Sequence, residues 1–153
     1  MLGTGNYSSH RYLSYADGVA MTGQDFFLLV ARVLLGMIFL TSGWGKVLGV
    51  SGFAANQMAN GVPAVLAYAA PFIEFLAGLG LILGLATRYS ALALIAFTVA
   101  ATWIAHRYWI FPPEQQRMQS GQFWKNVTII GGLVALFAAG PGRFAVDRWL
   151  SRR

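Results

Sequence analysis

Glu74 lies midway along a stretch, Pro63 to Ala86, that carries no other charge. An ionised carboxylate at the depth of a hydrocarbon core costs at least about a few kcal/mol. Its presence there predicts an acid that is protonated, paired, or turned toward a wet cavity. Arg32 sits in a second such run, Phe26 to Trp44, again as its one charge. At 1.5 Å per residue Arg32 falls ~6 Å from mid-depth, within reach of Glu74 for a long side chain. Arg32 and Glu74 are therefore the expected polar core. The carboxylate could relay protons or accept a hydrogen bond from a quinone or other ligand hydroxyl. Alternatively the pair is a buried ion pair that only fixes helix register, or Arg32 snorkels to the near interface.

Three further positions could border a ligand. Lys46 follows Ser42-Gly43-Trp44-Gly45, and glycines beside a lysine and a tryptophan leave room for an anion or a quinone head group. Gly78, one turn after Glu74, leaves room beside the carboxylate, while Pro71, one turn before it, loosens the local hydrogen bonding. His106 ends a third apolar run with Arg107 and could pass protons near neutral pH. Gly43, Lys46, Gly78 and His106 are thus the candidate head-group pocket. Each has a plainer reading, Lys46 and His106 as interfacial anchors and the glycines as packing residues.

Much chemistry is excluded. The chain has no cysteine and only two histidines, His10 and His106. That removes disulfides, thiolate catalysis and cysteine-ligated metal or iron–sulfur sites. No phosphate loop, nucleophile–base set, metal-ligand spacing or flavin or nicotinamide fingerprint is present. No catalytic residue and no metal ligand is assigned, and no covalently held cofactor is expected.

The elements that must position these residues follow from hydropathy. Of 153 residues 57% are hydrophobic and 10% charged, against about 25% charged in soluble domains, and the mean hydropathy is +0.58. This predicts an all-α integral membrane protein, a four-helix bundle. Its spans run over about 26–45, 63–86, 89–105 and 123–140, each near the roughly 20 residues that cross a bilayer. They form one domain, 26–145, between a polar N-terminal extension, 1–25, and a basic C-terminal tail, 146–153. The first 25 residues lack the apolar core of a cleaved signal peptide. Thr87 and Arg88 form the short link that makes spans two and three antiparallel neighbours. Residues 53–59 suggest a short interfacial helix, and the Pro112-Pro113 region with its glutamines a loop.

The net charge of +6 is scattered at the ends of apolar segments, which suits anionic lipid and not nucleic acid. Arg11, Arg88, Arg143, Arg148, Arg152 and Arg153 on one side outnumber Lys46, Arg107, Arg117 and Lys125 on the other, which predicts both termini in the cytoplasm. Trp44, Trp103, Tyr108, Trp109 and Trp124 should mark the outer interface. Small residues, among them Gly36, Gly43, Gly80, Gly84, Gly131 and Ala135, should let helices approach closely or form an oligomer face. Thr98, Thr102, Asn126 and Thr128 should bond between helices.

The sequence resembles the DoxX family of small four-span membrane proteins. The resemblance covers roughly Phe26 to Asp147. It rests on Arg32, Gly36 and Phe39, then Gly43 and Lys46, and on Phe53-Ala54 and Gly61-Val62-Pro63. Glu74 with Gly78, Leu83-Gly84-Leu85-Ala86-Thr87-Arg88, and Gly140-Pro141-Gly142-Arg143 with Asp147 complete it. The chain departs from the family at Phe144-Ala145, where a serine is frequent, and the extension to about Gly23 lies outside the match. The resemblance implies a bacterial inner-membrane location and a quinone-linked redox role, with quinone as the cofactor and redox proteins as partners beside the lipid bilayer. Three readings follow: an accessory or quinone-interacting subunit of a membrane redox complex, a small oligomeric proton-coupled transporter or channel, or a structural subunit that docks to a larger membrane complex.

Overall fold

The computed structural model describes residues 14–151, and among them there is helix and turn but no strand. His10, Arg11, Arg152 and Arg153, and residues 1–13 of the N-terminal extension, lie outside the described residues. The helices are α1 (Ser14–Leu48), α2 (Val50–Ala59), α3 (Ala64–Leu83), α4 (Thr87–Ala105), α5 (Pro113–Ala139) and α6 (Val146–Leu150), with one 3-10 turn at Tyr108–Ile110. Among the described residues four stretches are long and apolar enough to cross a membrane: Thr22–Leu48, Ala64–Leu83, Thr87–Ile110 and Pro113–Ala139.

Helix ends differ from the expected spans for local reasons. The first helix does not start at Phe26 but is continuous from Ser14. Gly84 ends α3 in the left-handed conformation, φ +69°, which a glycine adopts without a Cβ penalty. The link is therefore Gly84 to Ala86, and Thr87 and Arg88 already belong to α4. The glutamine-rich stretch after Pro112 is helical, not a loop, because Pro113 stands at the first position of α5, where its missing N–H costs nothing.

The antiparallel pair α1 and α3 forms the most extensive contact; α5 packs on α4 and more thinly on α1. Glycines set the α1–α3 register. A Cβ on Gly36 would lie 2.8 Å from the Gly78 carbonyl, and one on Gly43 2.6 Å from the Phe75 amide nitrogen. Only glycine permits backbones this close. A layer of Leu81, Leu94, Leu133 and Leu136, each fully or almost fully buried, fills the bundle centre. Gly131 faces open space, so it makes no helix contact within the chain.

Candidate functional site

The register separates the two charges expected to meet. Gly43 lies against Phe75, which puts Glu74 level with Gly43. Arg32 comes eleven residues earlier on α1, about 16 Å away along the axis. No Arg32–Glu74 pair forms. Depth along α1 alone does not decide the partner, because the crossing fixed by Gly36 and Gly43 sets which residues of α1 and α3 face each other.

Glu74 pairs instead with Lys46, Nζ to Oε2 at 2.6 Å. The Glu74 side chain is 4% exposed and that of Lys46 30%. The ammonium also stands 5.6 Å from the ring centres of Phe53 and Phe97, close enough for cation–π attraction. The lysine thus bridges the short helix α2, the buried acid on α3 and an aromatic wall on α4.

The pair opens on a cavity of about 240 Å³ to which all four spans contribute. Ser42, Lys46, Glu74, Thr98, Asn126, Lys125 and His106 give it polar groups, and Phe39 and Phe97 give it rings. Those rings meet edge to face at 6.5 Å and 79°. His106 Nδ1 lies 2.8 Å from Gln119 Oε1, which ties the end of α4 to the first turns of α5. Asn126 donates to the Thr102 hydroxyl at 2.9 Å across α4 and α5, as expected of interhelical bonding. Thr98, Thr102 and Thr128 donate to carbonyls four residues back in their own helices. Lys125 donates to Gln122, so it is held at the cavity wall without a carboxylate partner among the described residues.

Of the four expected pocket residues, Lys46 and His106 lie on the cavity. Gly43 and Gly78 do not: they sit in the α1–α3 contact, where Gly78 faces Leu40 and Phe39. They shape the site only by fixing the register that brings Lys46 to Glu74. At the same end of the bundle as His106, Trp103, Tyr108, Trp109, Phe123 and Trp124 form a chain of edge-to-face contacts, with ring centres 5.2 to 6.3 Å apart.

Arg32 belongs to a second site at the opposite end of the bundle. It is fully buried, and its Nη2 donates to the Phe144 carbonyl. Gly84 leaves the space its Nη1 occupies, since a Cβ there would overlap it. Asp147 draws the segment in. Its Oδ1 accepts the Ala86 N–H at 2.6 Å and its Oδ2 the Thr87 N–H and hydroxyl, both at 2.9 Å. A side chain sixty residues away thus caps α4, whose own N-cap is Ala86 at a positive φ of 48°. Burial works to raise the Asp147 pKa, but the amides of Thr87 and Ala86, the Thr87 hydroxyl and the Arg32 charge outweigh it. The carboxyl titrates below its ordinary value of 3.8. Asp25 completes this end by accepting the Arg143 N–H at 2.7 Å. The signal for this site was in the sequence, as a lone buried Arg32 and an acid in a basic tail, but nothing local joined them.

Among the described residues no three His, Asp or Glu side chains converge as metal ligands would. The sequence model of the DoxX family matches residues 27–107, a span that holds Arg32, Lys46, Glu74 and His106. The chain belongs to the DoxX family. Within it, the chain is 35% identical over 130 residues to the inner membrane protein YqjF of Escherichia coli, covering 85% of this chain and 96% of that one. It is 32% identical over 123 residues to the inner membrane protein YphA of the same organism, covering 79% and 88%. The uncharacterized membrane protein Rv3486 of Mycobacterium tuberculosis is 27% identical over 136 residues, 82% of each chain. No solved structure matches. With its four apolar helices, this DoxX protein is a multi-pass protein of the bacterial inner membrane.

Proposed function

We propose that this DoxX protein binds the head group of a quinone or quinol in the Lys46–Glu74 cavity, as an accessory subunit of an inner-membrane redox assembly. One observation carries the reading: a buried carboxylate paired with a lysine at 2.6 Å, on a cavity of about 240 Å³ walled by Phe39 and Phe97. A planar ring with oxygens at opposite ends suits such a space. Lys46, Lys125 and Asn126 are donors to a quinone carbonyl, and Glu74 is an acceptor for a quinol hydroxyl. Charge-assisted bonds of this kind are worth about twice neutral ones. On oxidation of a bound quinol its two electrons would pass to a redox protein beside it, and the role here is to hold the head group and accept one of the two protons through Glu74, the other leaving to water.

The transporter reading would require a passage. The layer of Leu81, Leu94, Leu133 and Leu136 lies between the cavity and the Arg32 end, and transport would need it to part.

The test is equilibrium binding of a tail-free methylated hydroquinone to the protein in nanodiscs. Saturable binding that weakens at least tenfold in Glu74→Gln supports the reading. No binding to the wild type, or equal binding to the variant, contradicts it.

A further inference from the structure

The cavity is the upper part of a longer seam between α1 and α5. Below it an apolar groove of about 510 Å³ runs between the same two helices, lined by Leu28, Ala31 and Leu35 on α1 and by Gly132, Ala135 and Leu136 on α5. Ile129 lines both spaces. On α1 the lining residues continue upward from Leu35 to Ile38 and Ser42, and on α5 from Gly132 and Ile129 to Asn126 and Lys125. These steps of three and four residues keep to one helical face. The two spaces therefore lie in line along one face of each helix, the polar one at one end and the apolar one at the other, and meet at Ile129. From Thr128 to Ala139 the groove extends about 16 Å along α5.

Its width has a local cause. Contact between α1 and α5 is the thin one in the bundle, and small residues, Ala31, Gly132, Ala135 and Ala139, stand where bulkier ones would close it. A Cβ on Gly132 would lie only 3.3 Å from Leu35, so any larger side chain there displaces Leu35 or fills the groove.

Resting on the head-group reading above, we infer that the ligand is a tailed amphiphile of the quinone class, with its head at Lys46–Glu74 and its alkyl or isoprenyl tail in the α1–α5 groove. The alignment of the two spaces through Ile129 favours this occupant over an unrelated acyl chain, which would have no reason to end at a buried carboxylate. It also gives a route: the ligand slides in sideways from the lipid between α1 and α5 and does not cross the water-facing loops.

The experiment compares two probes in nanodiscs, a tail-free methylated hydroquinone and a decyl-tailed hydroquinone with a diazirine at the tail tip. The wild type should bind the tailed probe at least tenfold more tightly and crosslink it within residues 28–35 or 128–139. Gly132→Leu should remove most of that tenfold gain and the crosslink, while binding of the tail-free probe changes less than about twofold. Ala135→Leu is a second, independent filling of the groove, and Val134→Leu, at an exposed position on α5, is the control. Tail-free binding that survives with no tail gain, or a crosslink elsewhere, overturns the tail site and leaves the head site standing. A tail crosslink in the groove that persists in Glu74→Gln with unchanged affinity overturns the head site, and with it the joined ligand. A wild-type dimer that Gly132→Leu converts to monomer, with no crosslink in the groove, assigns the groove to a second copy and overturns the inference.

Discussion

Two buried charges divide the bundle between them. Arg32 is sealed: a backbone carbonyl accepts from it, Gly84 moulds around it, and Asp147 sits nearby in a cage of its own donors. Glu74 is equally deep, but its partner Lys46 is partly exposed and both face a cavity. The first arrangement ties three chain segments together. The second keeps an acid, donors and aromatic rings around a space. The lesson is that charge inside a membrane is a marker of expense, and only the surroundings tell whether it is spent on assembly or on binding.

Substitutions should separate the two. Arg32→Leu should have the largest effect, roughly 3 kcal/mol or more off stability, because it strips the Phe144 carbonyl of its donor and Asp147 of its counter-charge. Thermal unfolding in detergent reads this, and a melting temperature equal to wild type would break the contrast. Gly43→Val comes next at about 3 kcal/mol, since its side chain would meet the Phe75 backbone. It should also cost binding, because it shifts the register that joins Lys46 to Glu74.

Asp147→Asn should cost about 1–2 kcal/mol through the weakened cap. Here the sign is fixed. The folded pKa is depressed, so the stabilisation is fully present above the unfolded value of about 3.9 and is lost as pH falls through the folded one. Acid titration of the melting temperature should therefore show a decline below about pH 4 that is shallower in Asp147→Asn. Parallel titration curves would remove Asp147 from the lock. The smallest effect belongs to Asn126→Leu, about 0.6 kcal/mol for one interhelical bond, measured by the same melting assay.

Hydropathy made most of the fold legible. Four spans, their order and a short link between the second and third follow from the apolar runs, although the link lies at Gly84 to Ala86 and not at Thr87-Arg88. The depth of Glu74 was legible too. Its partner was not, because register depends on where two helices cross, and that is set by Gly36 and Gly43 meeting Gly78 and Phe75. Both Arg32 and Lys46 were candidates on α1, and a shift of a few turns exchanges them. Lys125 reached the site unseen because a span beginning near Phe123 puts it one turn from an end, where a lysine snorkels, whereas α5 begins at Pro113 and carries it near its middle; Asp147 was missed because its donors lie sixty residues upstream. The rule for interfacial aromatics groups Trp103, Tyr108, Trp109 and Trp124, and they do meet at one end of the bundle.

We propose that Glu74 serves a ligand and Arg32 serves the fold. It is tested most directly by measuring, on one Glu74→Gln preparation in nanodiscs, both the melting temperature and the affinity for a tail-free hydroquinone. Lys46 is exposed enough to turn its ammonium outward when its partner is neutral, so the account predicts a melting temperature within about 3 °C of wild type, a stability change under about 1 kcal/mol. It predicts binding weaker by at least tenfold, the loss of about one charge-assisted hydrogen bond. Unchanged affinity, or unfolding as severe as that of Arg32→Leu, would contradict it.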